Sequence, residues 1–267
     1  MSVKKSEMRE SQLMKVLQEK GRITVAEAVA LLNISEATAR RLFAQMVASR
    51  RAIRSYGGLQ LPISLDDYSF ERYEKVLAAE KRRIGAAAAA LVENGDSLYL
   101  DSGTTLLRMA EALADRIREG QVSALNIVTN SISNLMALSD SPGCRGILLG
   151  GEYNRERRDF SGSVTEKSLE MFHFRKCFLG SEGFSIKQGF SANHLSLAVL
   201  NEKVIRQTDQ CFVLMDSSKF AHEALVSYAP LSAVDFIVTD ACPDPALVGP
   251  LADQGVRLLT VSSEHDT

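Results

Sequence analysis

Asp101-Ser102-Gly103-Thr104-Thr105 has the residue types of a strand end running into a helix. Gly103 would allow the tight turn, and Ser102, Thr104 and Thr105 would set hydroxyls beside the free N–H groups of a helix N-terminus. That combination favours an anion such as a phosphate. Thr129-Asn130-Ser131 is a second stretch of this kind, and Gly150-Gly151 is a third, where backbone could approach a ligand closely. Lys219, in the run Asp216-Ser217-Ser218-Lys219, follows another strand-like stretch and could neutralise a phosphate or hold a sugar oxygen. Each of these alone is equally well a plain helix cap or a solvated lysine. Their recurrence at successive strand ends points to one ligand cleft. Proton abstraction beside a carbonyl would need a carboxylate base; Asp101 and Glu182 are the strand-end candidates, with Asp216 a weaker third. His173, His194, His222 and His265 fall in no pattern.

A different chemistry sits near the start of the chain. On a 3.6-residue wheel, Ala39, Leu42, Phe43 and Met46 share one face of a helix over residues 35–47 and should pack. The opposite face carries Ala37, Arg41, Ala44 and Ala48, with Arg40 on one flank and Thr38 and Gln45 on the other. Small side chains there let the helix approach a surface. Arg40 and Arg41 can reach phosphates or guanine edges, and Gln45 can pair with adenine. Arg50, Arg51 and Arg54 follow, in positions suited to phosphate contacts.

These residues need elements to carry them. Met8, Leu13, Val16 and Leu17 recur near helical spacing, with Gly21 as the stop. Thr24 and Glu27 form a capping box opening a helix through Val25, Ala28, Val29 and Leu32. After a tight break at Asn33-Ile34-Ser35, Ser35 caps the next helix. The stretch 51–62 reads as two short runs about a Gly57-Gly58 turn, a hairpin closed by Pro62. Together they predict a winged helix-turn-helix over residues 6–62, with Thr24, Ser35, Ala37, Thr38, Arg40, Arg41, Gln45, Arg50, Arg51 and Arg54 facing DNA. Residues 63–80 read as a charged linker entering a helix. Over 81–262 short apolar strands alternate with helices, predicting a Rossmann-like, doubly wound, mostly parallel sheet covered on both faces. Its strand-end loops would line up along the carboxyl edge, where ligands bind in such sheets.

Composition agrees with a folded protein of two functions. The chain has 267 residues with a net charge of −2, but residues 1–60 carry +6 and the remainder −8. A basic head on an acidic body implies that only the head meets a polyanion. No apolar run reaches the roughly 18 residues a membrane span requires, and the first ten residues lack a signal sequence's apolar region, so a cytoplasmic location is expected. Cys144, Cys177, Cys211 and Cys242 are widely spaced, with no pair at metal-ligand spacing; neither metal nor cofactor is expected.

The stretch from Arg9 to Pro62 resembles the DNA-binding domain of DeoR-type bacterial transcription regulators. The body resembles them too, in the order and spacing of "EKRRIGAAAAALVENGDSLYLDSGTT", "IVTNS", "GILLGGEY", "FLGSEGF" and "MDSSKF". The family's recognition helix usually reads T-x-R-R-D-L, whereas here Leu42 replaces the acidic residue, and Glu182 stands where many relatives carry Asp. The wheel puts Leu42 on the packed face, so the fold should accept it. The resemblance implies a C-terminal domain related to ribose-5-phosphate isomerase and glucosamine-6-phosphate deaminase with its catalysis lost. It also implies a phosphorylated sugar or polyol effector held by Asp101, Ser102, Gly103, Thr104, Thr105, Thr129, Asn130, Ser131, Gly150, Gly151, Glu182 and Lys219. The expected partners are operator DNA and further copies of the chain, a dimer or tetramer whose paired heads read two half-sites. The expected role is repression of a sugar or polyol utilisation operon. The competing expectation is a phosphosugar isomerase or deaminase carrying a DNA-binding head.

Overall fold

The computed structural model describes residues 2–20, 22–49, 51–55, 58–60, 68–220, 222–242 and 244–261, with the side chains of 2–7, 18–20, 55 and 60 outside that description. The chain divides into two compact units, residues 1–78 and 79–267.

The first unit holds α1 (Ser2–Lys20), β1 (Arg22–Thr24), α2 (Val25–Leu32), α3 (Glu36–Ala48), β2 (Ile53–Ser55), β3 (Gly58–Gln60) and α4 (Phe70–Lys75). The capping box forms as its residue types require: Thr24 Oγ1 accepts from the Glu27 N–H at 3.2 Å, and Glu27 accepts from the Thr24 N–H at 2.7 Å. Asn33, at φ 47°, ends α2 in the left-handed conformation that asparagine tolerates. Ser35 then caps α3. Leu13, Leu17, Ile23, Ala28, Ala39, Leu42, Phe43, Met46, Ala52 and Leu59 form the core of this unit. Met8 lies outside it, 64 % exposed.

The strand β1 has no counterpart in the sequence pattern. It pairs with β3, which pairs on its other side with β2, both antiparallel. The expected turn at Gly57-Gly58 is corrected on its second residue: Gly58 is a strand residue, opposite both Thr24 and Ser55. It must be glycine because a Cβ there would stand 2.2 Å from the Ile23 carbonyl oxygen. Gly57 and Pro62 lie outside the described residues.

The second unit begins with α5 (Ala78–Ala90) and β4 (Ser97–Leu100), then α6 (Thr104–Arg118), β5 (Leu125–Thr129), α7 (Ile132–Leu138) and β6 (Cys144–Leu148). The hairpin β7 (Glu152–Asn154) and β8 (Asp159–Ser161) leads to α8 (Ser163–Leu169) and β9 (Phe174–Gly180). Then come β10 (Gly183–Ser185), β11 (Gly189–Ala192), α9 (Leu195–Arg206), β12 (Thr208–Leu214), β13 (Val226–Ala229), β14 (Phe236–Thr239), α10 (Val248–Asp253) and β15 (Arg257–Thr260).

Seven of these strands make one parallel sheet in the order β15-β14-β12-β9-β4-β5-β6. The chain enters at β4, runs outward to β6, and returns across β4 to continue from β9 the other way. The reversal lies between β4 and β9, where a crevice opens at the carboxyl edge of such sheets. Successive strand residues divide between two cores. Leu98, Leu100, Phe178, Phe212 and Leu214 pack with α5, α6 and α7, while Tyr99, Cys177, Leu179, Cys211 and Val213 pack with α8, α9 and α10. Strands buried on both faces explain the continuous apolar runs.

The expectation that helices mostly separate these strands fails in two places. The connection from β6 to β9 carries the hairpin β7–β8 ahead of α8, and β10, β11 and β13 form a separate three-stranded antiparallel sheet. That sheet shares Phe184, Phe190, Ala192, Tyr228 and Ala229 with the α9 core. Such short elements carry too few residues for a periodic signal.

Candidate functional site

In the first unit α3 presents the surface the wheel indicated. Ala39, Leu42, Phe43 and Met46 are buried, and Ala37, Arg40, Arg41, Ala44, Gln45 and Ala48 are exposed. Leu42 is 4 % exposed, which accounts for an apolar residue being accepted there. Two of the candidate DNA contacts are committed within the protein. Arg51 Nη1 donates to Glu10 Oε2 at 2.8 Å, tying the end of α3 to α1. Arg40 donates through Nε (2.8 Å) and Nη2 (2.6 Å) to Glu36 Oε1, one turn back on the same exposed face. Thr38 is half-buried with its hydroxyl on Ser35 Oγ at 2.9 Å, and the Thr24 hydroxyl bonds Glu27 at 2.9 Å. Arg54 is exposed on β2, and Arg50 lies outside the described residues.

In the second unit the carboxyl ends of β4, β9 and β12 bring together residues far apart in the chain. Asp101, just past β4, is enclosed. Its Oδ1 accepts from the Ser102 N–H at 2.7 Å. Its Oδ2 accepts from the Gly180 N–H at 3.0 Å and Asn201 Nδ2 at 3.2 Å. Asn134 Nδ2 donates to its carbonyl oxygen at 2.8 Å. Asn134 lies on α7 and Asn201 on α9, so helices from opposite faces of the sheet hold one residue. Burial pushes the Asp101 carboxyl up to about 7, against the pull of the Gly180 N–H, Arg157 and the Ser102 N–H.

Beside it Ser102 Oγ donates to Asp159 Oδ2 at 2.7 Å, and Arg157 Nε donates to the same oxygen at 3.1 Å. Arg157 Nη1 donates to Glu182 Oε1 at 3.0 Å. The hairpin β7–β8 thus delivers a guanidinium, itself 6 % exposed, shared between two carboxylates. Burial works to raise Glu182, but Arg157, the Asn193 N–H and Lys219 together hold its carboxyl below the usual range.

Further along the edge lies a cationic group. Lys81, on α5, is 4 % exposed. Burial pulls its ammonium down to about 8; Asp216 opposes that pull, and Lys219 and Arg108 add to it. Asp216 caps the short turn Ser217–Lys219, its Oδ1 accepting from the Ser218 N–H at 3.0 Å. Despite burial, Lys219 and Lys81 hold Asp216 below its ordinary value. At the carboxyl end of β4, on the same sheet edge, α6 starts at Gly103, φ 120°, without a side-chain cap on its N-terminal amides. The helices α2, α3 and α7 each use a threonine or serine oxygen there, whereas α4, α8, α9 and α10 also lack a side-chain cap.

Not all the expected ligand residues face this edge. Thr129, Asn130 and Ser131 are buried and bonded internally. Thr129 Oγ1 accepts from the Ser131 N–H at 3.1 Å, Ser131 Oγ caps α7, and Asn130 Nδ2 donates to the Phe160 carbonyl at 3.1 Å. Their evident work is to anchor the hairpin. Gly151 is close to protein rather than to an open space: a Cβ there would stand 2.1 Å from Thr165 Oγ1 and 2.7 Å from the Ser161 carbonyl oxygen. Gly150 is exposed, its carbonyl accepting from Thr165 Oγ1 at 2.9 Å. Sequence reasoning missed Lys81, Asn134, Arg157, Asp159 and Asn201. Only Lys81 had a signal, a lysine where an apolar helix face should continue toward Ile84 and Gly85.

The two units match two known family models. Residues 9–64 match the DeoR-like helix-turn-helix domain, and residues 77–241 match the DeoR C terminal sensor domain. The chain belongs to the DeoR family of bacterial transcription regulators. This regulator is 32 % identical over 250 residues to the HTH-type transcriptional repressor GlcR of Bacillus subtilis (strain 168), covering 93 % of this chain and 94 % of that one. It is 29 % identical to the lactose phosphotransferase system repressor of Streptococcus mutans, covering 91 % and 95 %. It is 27 % identical to the deoxyribose operon repressor of Escherichia coli (strain K12), covering 95 % and 98 %. Among solved structures it is similar to ribose 5-phosphate isomerase A from Methanocaldococcus jannaschii, with a TM-score of 0.40, 17 % identity and 53 % of each chain covered. It is also similar to eIF2B beta from Chaetomium thermophilum, with a TM-score of 0.44, 12 % identity and coverage of 94 % and 68 %. Likenesses that distant decide nothing about its chemistry. The regulator is a DNA-binding protein of the transcription-regulator class rather than an enzyme. Among its described residues no helix is long and apolar enough to cross a membrane.

Proposed function

We propose that this regulator represses a sugar or polyol utilisation operon and is released from, or fixed on, its operator by a phosphorylated sugar or polyol bound in the second unit. The names of its relatives support the repressor role. The carrying observation for the effector is the group Lys81, Lys219 and Asp216 on the same carboxyl sheet edge as the start of α6, which has no side-chain cap. Two ammonium groups and helix-start amide dipoles along one carboxyl sheet edge suit a phosphate. Thr104 and Thr105 add hydroxyls. Asp101, Ser102, Gly103 and Glu182 line the adjoining part, and Gly150 its outer rim. Thr129, Asn130, Ser131 and Gly151 act by holding the loops.

On the DNA side α3 is the recognition helix, with Ala37, Arg40, Arg41 and Gln45 toward the major groove and Ser35, Thr38 and Thr24 toward the backbone. The hairpin β2–β3 is the wing, bringing Arg54 to phosphates; Arg50, outside the described residues, is assigned the same role from the sequence alone. Arg51 serves by bracing α3 through Glu10. Domain limits of 6–62 for the head and 81–262 for the sensor serve this reading, with 63–80 connecting them. Paired heads on a homo-oligomer read two half-sites. The effector acts only through a difference in its affinity for the DNA-competent and DNA-incompetent forms.

The test is fluorescence anisotropy of duplex DNA from upstream of the regulator's own gene, titrated with protein and then with sugar and polyol phosphates beside their unphosphorylated forms. The expected result is that one phosphorylated compound shifts DNA affinity and its unphosphorylated form does not. DNA binding unmoved by every phosphate would remove the effector role. Arg41→Ala should weaken DNA binding at least about tenfold and leave effector binding unchanged.

A further inference from the structure

Resting on the reading of α3 as the recognition helix, the two adjacent arginines on that helix have different work to do. Arg40 and Arg41 are both exposed, yet their surroundings differ. Arg40 is held: its Nε and Nη2 donate to Glu36 Oε1 at 2.8 and 2.6 Å. Arg41 has no hydrogen-bond or ion-pair partner among the described residues.

The Glu36–Arg40 pair is poorly suited to be a stabilising device. Its side chains are 63 % and 62 % exposed, and an ion pair so well solvated adds little to a fold. Ser35 already caps the helix. A carboxylate at the leading end of a helix that meets DNA also repels phosphate. What the pair does achieve is orientation. A guanidinium carries its donors on two edges. Glu36 takes the Nε–Nη2 edge, which leaves the Nη1–Nη2 edge directed away from the carboxylate. That edge offers two parallel donors, the pattern that matches N7 and O6 of guanine in the major groove. Glu36 is the first residue of α3 and Arg40 stands one turn in, the part of a recognition helix that meets base edges. Ala37 and Ala44, the neighbours of Arg40 at helical spacing, are exposed and small, so they leave room for a base. A phosphate, by contrast, asks for charge and reach, which an unheld arginine supplies.

We infer that Arg40 is the residue with which this regulator reads a guanine in each half-site, that Glu36 is the positioning residue that turns the Arg40 fork toward the base, and that Arg41 contacts phosphate.

The test uses the full chain. Selection from a duplex library with a randomised centre gives the preferred sequence, and fluorescence anisotropy on its single-position variants gives the discrimination at each base pair. One guanine in each half-site should be preferred at least about tenfold over the other bases. Arg40→Lys keeps the charge and loses the fork. It should cut that preference at least about threefold, at that position alone, with the slope of affinity against salt unchanged. Glu36→Ala should cut the same preference and raise affinity for unrelated DNA, and Glu36→Asp should restore part of the preference. Arg41→Lys should leave every preference in place. These side chains are exposed, and a thermal melt matching the wild type confirms each fold. The inference is overturned if Arg40→Lys weakens all sequences alike, if Arg41→Lys is the variant that loses a guanine, or if Glu36→Ala leaves the preference whole; in each case α3 still stands as the recognition helix. A folded variant with Arg40, Arg41 and Gln45 all changed to alanine that still selects the wild-type sequence sinks that reading too, and this inference with it.

Discussion

Lys81 is the residue through which the cleft should respond to pH. Its ammonium loses its proton near pH 8 in the free protein, because burial disfavours the charge. A phosphate beside it favours the charged form, so binding above pH 8 must take up a proton. Effector affinity is therefore expected to fall as pH rises through 8, by up to about tenfold per unit, while below about pH 6 protonation of the phosphate itself weakens binding. Titrations between pH 6 and 9.5 check this, and Lys81→Met should flatten the upper limb while lowering affinity throughout. Lys219→Ala should weaken the effector response without reducing DNA affinity. Asp101 works the other way on stability. Its folded value, about 7, lies above the ordinary carboxyl value, so the native state holds the proton more tightly than the unfolded chain. Its contribution to stability is expected to decline between about pH 4 and 7 and to level off above, by at most about 4 kcal/mol. Denaturant unfolding of the wild type across that range measures the slope. At this scale the sequence was legible where a residue's job is local. Gly103, Thr104 and Ser131 announce a turn, a helix start and a cap by type alone. Arg157 and Asn201 do not, because their roles depend on partners such as Glu182 and Asp101, far along the chain, that only the folded sheet brings near.

Among elements, the helix α3 was readable down to individual side chains because burial repeats with the helical turn. Leu42 is the proof: a departure from the family pattern whose tolerance follows from the face it occupies. The hairpin β7–β8 was not readable, and it carries two of the three ion-paired residues, Arg157 and Asp159. Its strands have three residues each, and its polar face looks like loop composition. The helix α5 crosses α6 at Gly85, where a Cβ would meet the backbone of Arg108 and Met109 at 2.6 Å. Gly85→Ala is accordingly expected to cost about 1–3 kcal/mol through overpacking. It should also weaken effector binding, since it shifts Lys81 one turn away on the same helix. Thermal unfolding and calorimetry on the same sample separate the two effects. Gly58→Ala would press on the Ile23 carbonyl and should destabilise the first unit while leaving the cleft intact, seen as lost DNA binding with effector binding preserved.

Over the whole molecule, charge is partitioned: +6 in residues 1–60 and −8 in the rest. DNA affinity should therefore depend steeply on salt. With six or more phosphate contacts it is expected to fall on the order of a thousandfold between 50 and 200 mM, a slope measurable by anisotropy, whereas the more enclosed cleft should respond far less. The order of the sheet has a further consequence, for synthesis. The helix pair and its three strands are complete by Gln60, whereas the cleft draws on β4, β9 and the turn at Lys219. A ribosome finishes the part that grips DNA long before it makes the part that listens. Any premature stop between Ala79 and Asp216 yields a fragment with the first and without the second.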